Sequence, residues 1–152
     1  MHVSMTLSLP RQPTSVTCAR QMLIPLLRLA GADADVRDHL AVVISEACAN
    51  AVMHSDPGST VDVAVVIEDD ECLIEIGNHG TTPDGLGFDA VLPDPLTVGG
   101  RGLPLIAALV DHAAFVAASP GRVLLRIRKH LAGTGHGADV PASDRVGPGT
   151  AS

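Results

Sequence analysis

The alternation of apolar and polar positions changes period along the chain, and each change marks an element. Val3 to Leu9 alternates loosely, which predicts a short first strand. Pro10 and Pro13 punctuate it, and Thr14 or Ser15 is placed to cap a helix. Val16, Ala19, Leu23, Leu26, Leu27 and Ala30 then follow helical spacing, with Gly31 as a natural stop. Pro25 falls inside this pattern and should kink or split the helix, because proline removes a donor and crowds the preceding turn. A second helix, capped by Asp33 or Asp35, is predicted to reach Met53, with Val36, Leu40, Val43, Ala47 and Ala51 as its buried stripe.

Period two returns with Val61, Val63, Val65 and Ile67, and again with Cys72, Ile74 and Ile76, the two runs joined by the acidic turn Asp69-Asp70-Glu71. From Gly77 to Val98 no period holds, and four Gly and three Pro interrupt the segment. A structureless stretch of that length inside a domain is uncommon and usually functional. Leu103 to Val110 predicts a short helix. Ala113 to Ala118 and Val123 to Ile127 predict a closing hairpin, turned by Pro120-Gly121 in a type II geometry. Helices early and antiparallel strands late argue for an α+β fold, a two-layer sandwich with helices on one face of a mixed, mostly antiparallel sheet. Residues 1–131 form the expected domain, and 132–152, with five Gly and two Pro, an expected disordered tail.

Composition narrows the function. Acidic residues outnumber basic ones, 17 to 10, for a net charge of −7, which disfavours nucleic acid or an anionic membrane as the main partner. Two Phe, no Tyr and no Trp leave little for bases to stack on. Cys18, Cys48 and Cys72 are odd in number and lack metal-ligand spacing, so they predict buried free thiols. No signal peptide or membrane span is apparent, and a reducing cytoplasm is the expected location.

Two short segments carry the candidate chemistry. Glu46 and Asn50 are four apart on the second helix, about 40° around and one turn along, so both can address one space. An amide oxygen suits Mg²⁺, which takes hard oxygen donors, and a carboxylate can accept a proton from an attacking hydroxyl. By spacing alone the pair is also an ordinary polar helix edge. The second segment is Gly99-Gly100-Arg101-Gly102-Leu103, a glycine turn running into a helix. Glycines allow close approach of backbone to ligand, and the free amides of a helix start attract anions. Arg101 suits either a bond to a terminal phosphate or a solvated position on the surface. His79, His112, His130 and His136 read as packing or surface residues, while His54 either packs near the helix end or borders the site, with no catalytic role assigned.

In this order, Glu-x-x-x-Asn helix, two strands, variable segment, Gly-Gly-Arg-Gly-Leu and hairpin, the chain resembles the GHKL (Bergerat-fold) ATPases from about Leu7 to Lys129. Within them it is similar to the small anti-sigma-factor serine kinases. The resemblance implies that Asn50 holds Mg²⁺, that Glu46 is the general base, and that Gly99, Gly100, Arg101, Gly102 and Leu103 close over the phosphates of ATP. It implies a protein kinase that phosphorylates a serine on an antagonist of STAS fold, sequesters a sigma factor when not so engaged, and forms a homodimer through its first strand and helix. The family's Asp-x-Gly-x-Gly, whose Asp bonds the adenine amino group, is here Asn78-His79-Gly80-Thr81-Thr82, placing Asn78 and Gly80 at the base end. The family's supporting threonine after the last turn is matched by Arg122. These departures imply weakened or altered nucleotide binding. They leave open a second reading, a pseudokinase that binds its partners without phosphoryl transfer. The catalytic half of a sensor kinase is a more distant third, because the chain lacks a phosphoacceptor-helix domain.

Overall fold

Three helices lie on one face of a five-stranded sheet, in a computed structural model that describes residues 1–80 and 102–132. The elements are β1 (His2–Pro10), α1 (Pro13–Leu29), α2 (Ala34–His54), β2 (Thr60–Glu68), β3 (Glu71–His79), α3 (Gly102–Leu109), β4 (His112–Ser119) and β5 (Arg122–His130). The strand order is β1-β2-β3-β5-β4. Every described pair is antiparallel, so the parallel component expected of a mixed sheet is missing among the described residues.

The register explains the core. Val61, Val63, Val65 and Ile67 of β2 stand beside Asn78, Ile76, Ile74 and Cys72 of β3, and Val123, Leu125 and Ile127 of β5 continue the same face. That face packs against Leu23 and Leu27 of α1 and Val36, Leu40, Val43, Ile44 and Ala47 of α2, all buried. Burying a Leu, Ile or Val side chain stabilises by about 1.5–3 kcal/mol, so this layer supplies most of the driving force for folding. The opposite face carries cross-strand ion pairs, Arg126 to Glu75 at 3.1 Å and Arg128 to Glu71 at 3.0 Å. Being half-exposed, such pairs contribute little each.

Several expectations are corrected locally. Helix α1 runs unbroken through Pro25. Pro25 lies on the exposed side, so the carbonyl left without its donor is within reach of solvent. Gln12 holds the N-cap position of α1, and Ser15 instead donates from its hydroxyl to the Pro10 carbonyl at 2.6 Å, fastening the helix to β1. Strand β3 continues through Gly77, Asn78 and His79, which the sequence pattern assigned to the irregular stretch. Gly121 has φ 72, as a type II turn after Pro120 requires. Cys48 and Cys72 are buried as expected, whereas Cys18 is exposed. No helix among the described residues is long and apolar enough to cross a membrane. The expected tail lies outside the described residues from position 133, as does the variable segment over 81–101.

Candidate nucleotide site

Helix α2 presents its polar border to the start of α3. Val43, Ala47 and Ala51 anchor the helix in the core, which leaves Glu46 and Asn50 half-buried at the edge of that stripe. Gly102 opens α3, and Leu103, Pro104 and Ile106 bury the helix against the core. The consequence is a close approach. A Cβ added to Gly102 would stand 2.7 Å from Glu46 Oε2 and 3.6 Å from Glu46 Cβ. The carboxylate thus lies directly against the first residue of α3, in a space that exists because residue 102 has no side chain. A negative group is also favoured there by the helix dipole. Asn50 is one turn further along α2, about 6 Å by helical rise.

The far end of α2 is locked to the end of β3. The Asp56 amide donates to the His79 carbonyl at 2.7 Å, and Ser55 and Gly80 form an isolated antiparallel bridge. Ser55, buried, donates its hydroxyl back to the Ala51 carbonyl and closes the helix. Gly80 runs so close to His54 that an added Cβ would overlap the His54 carbonyl oxygen. The Gly80 amide donates to the Gly121 carbonyl at 3.0 Å, which ties in the β4–β5 turn. Three elements therefore converge at Gly80.

Asn78 sits inside this junction. Its register partners are Val61 on β2 and Val123 on β5, so its side chain leaves the sheet on the helix-bearing face. It is only 6% exposed, and its Nδ2 has no hydrogen-bond partner among the described residues. A buried amide hydrogen left unpaired costs about 1–3 kcal/mol. A heteroaromatic base with an acceptor at its edge would satisfy it, and the donor set therefore fits a nucleotide.

Arg122 is at that end of the sheet, paired with His79, but not on the face of Asn78. It stands on the other face of β5, where its Nη2 meets Asp62 Oδ2 at 3.3 Å. Gly77 makes room for it: a Cβ there would be 3.3 Å from Arg122 Nη2 and 2.9 Å from Leu124 Cδ2. The residue beside Asn78 on its own face is Val123, which strand parity reveals once the register is known. The expectation that Arg122 replaces the side chain supporting the base contact is thereby corrected.

Of the remaining expected site residues, Leu103 is 8% exposed and belongs to the hydrophobic core, so it holds α3 in place. Gly99, Gly100 and Arg101 lie outside the described residues. The contact between Gly80 and the His54 backbone carried no signal in the sequence beyond the glycine itself. Thiol chemistry is disfavoured at Cys48 and Cys72, since burial pushes both up to about 12, aided at Cys72 by the neighbouring Glu71 charge.

The chain resembles known proteins in sequence and fold. The profile of the histidine kinase-like ATPase domain matches residues 9–129. The chain is 30% identical over 125 residues to the serine-protein kinase RsbW of Listeria monocytogenes serovar 1/2a, covering 73% of this chain and 78% of that one. The same figures hold for the serine-protein kinase RsbW of Listeria innocua. The crystal structure of the RsbU and RsbW domains of Rv1364c from Mycobacterium tuberculosis shares the fold, with a TM-score of 0.64 and 20% identity over 85% of this chain. The chain spans about a third of that longer one, 32%. On the domain match, the relatives and the architecture together, the chain belongs to the histidine kinase-like ATPase domain family.

Proposed function

We propose that this protein is an ATP-dependent protein serine kinase of the anti-sigma-factor type. It would phosphorylate a serine on a STAS-domain antagonist and bind a sigma factor. The observation that carries the reading is the placement of the Glu46 carboxylate against Gly102, with Asn50 one turn away. Serine-protein kinase relatives with which it shares 30% identity support the reaction class.

ATP with Mg²⁺, when bound, supplies the phosphoryl group and neutralises its charge. Within the chain, Asn50 offers the metal a hard amide oxygen, and few protein ligands suffice because Mg²⁺ retains waters and phosphate oxygens. Gly99, Gly100, Arg101 and Gly102 would hold the phosphates, and Gly102 makes the room that Glu46 occupies. Glu46 accepts the proton of the partner's serine hydroxyl, which makes the oxygen a better nucleophile. Asn78 and Gly80 form the base end. Homodimerisation through β1 and α1 belongs to the same proposal.

Incubation with labelled ATP and candidate STAS-domain partners tests the reading. Phosphoserine should form on one of them, and Glu46→Ala should abolish it while leaving partner binding intact. No phosphoserine on any of several candidates would overturn kinase activity. Asn78 in place of an aspartate favours the second reading, a pseudokinase acting by partner binding alone. That reading predicts the same partner affinity with and without nucleotide.

A further inference from the structure

We propose that Asn78 makes the base pocket accept 6-oxopurine nucleotides on nearly equal terms with ATP, so that the site is not adenine-selective. The inference rests on the nucleotide reading given above and deepens it.

The argument begins with the chemistry of the side chain. A carboxylate offers acceptors only. It can take a hydrogen from the 6-amino group of adenine; facing hypoxanthine or guanine, one oxygen can accept from the ring N–H, but an oxygen set against the 6-oxo group meets a second acceptor and is repelled. A carboxamide offers one donor and one acceptor, on adjacent atoms. Adenine presents an amino donor beside a ring-nitrogen acceptor. Hypoxanthine presents a ring N–H donor beside an oxo acceptor. A half-turn of the amide matches either pair, so the same residue can satisfy both bases.

The position of Asn78 gives that chemistry its weight. Asn78 is only 6% exposed on the helix-bearing face, flanked in register by Val61 and Val123, and its Nδ2 has no hydrogen-bond partner among the described residues. Neither valine can orient the amide through a hydrogen bond. A Cβ built on Gly80 would lie 3.3 Å from Nδ2. A glycine there leaves space for the amide to turn. With no hydrogen-bond partner among the described residues to hold its orientation, the donor can meet the oxo group. That is the interaction a carboxylate at this position would forbid.

Competitive binding of ATP, ITP and GTP to the full chain, with Mg²⁺, tests this directly. The parent should bind ITP within about threefold of ATP. Asn78→Asp should favour ATP over ITP by about tenfold or more, the factor expected when a matched acceptor becomes a mismatched one. GTP, the other 6-oxopurine, should also bind within about threefold of ATP, and GTP binding about tenfold weaker than ATP overturns the proposal. A parent that prefers ATP over ITP by tenfold overturns the proposal, whether or not Asn78→Asp folds. So does a folded Asn78→Asp with an unchanged ratio. Binding of none of the three by the parent overturns the nucleotide reading itself, a result distinct from either.

Discussion

Replacing Gly102 by Ala probes the site with one methyl group. That methyl would stand 2.7 Å from Glu46 Oε2, where an ordinary carbon–oxygen contact needs about 3.3 Å or more. The clash is therefore more than half an ångström. It falls on the far end of a flexible side chain, so Glu46 can rotate away at low cost. Fold stability should change by less than about 1 kcal/mol, since alanine's better helix propensity offsets part of the strain. Catalysis should not be so tolerant. Displacing a catalytic group by about 1 Å can cost on the order of a hundredfold. The assay is single-turnover phosphorylation of the STAS-domain partner, with thermal unfolding of the same sample as the control. We expect a loss of ten- to a hundredfold in transfer and a melting temperature within a few degrees of the parent. Transfer within twofold of the parent, on a folded protein, would refute the claim that the Gly102 space positions the carboxylate.

Other outcomes follow from the same geometry. Gly80→Ala forces a methyl onto the His54 carbonyl, which is backbone and cannot swing aside; a loss of about 2–4 kcal/mol in urea unfolding is expected. Arg122→Ala removes a half-exposed ion pair to Asp62, so it should cost about 1 kcal/mol or less and leave nucleotide affinity unchanged. A tenfold loss of affinity would return Arg122 to the base contact. Cys48 and Cys72 are held protonated by burial up to about 12, against an ordinary value of 9.0, so each favours the folded state fully below pH 9. Stability should then fall by about 1.4 kcal/mol per pH unit per thiol as pH rises from 9 towards 12, read by denaturant titration at stepped pH. Alkylation at pH 8 should label Cys18 quickly and the two buried thiols slowly.

Periodicity carried most of the architecture. The period-two runs in β2 and β3 and the stripe of α2 each bury the residues that their spacing selects, because a sheet covered on one face enforces strict alternation. The split expected at Pro25 does not occur: α1 is continuous there, its packing through Leu23 and Leu27 outweighing the one missing donor. The extent of β3 was hidden because Gly77, Asn78 and His79 have poor strand propensity; pairing to both β2 and β5 overrides it. At the site, Glu46 and Asn50 were legible as neighbours on a helix face. The contact of Glu46 with Gly102 was not, since it depends on the packing of α3 against α2 through Ile106 and Leu103. Arg122 was matched to the family's threonine by its place after the turn, and only the register shows that Val123 shares the face of Asn78, since one residue reverses the face.

A crystal structure of the full chain with Mg²⁺ and a non-hydrolysable ATP analogue tests the central claim most directly. The account predicts the triphosphate beside Gly102 and the start of α3, the metal on the Asn50 amide oxygen, and the base edge at Asn78. A nucleotide bound elsewhere, or one that leaves Glu46 and Asn50 facing open solvent away from its phosphates, would contradict it.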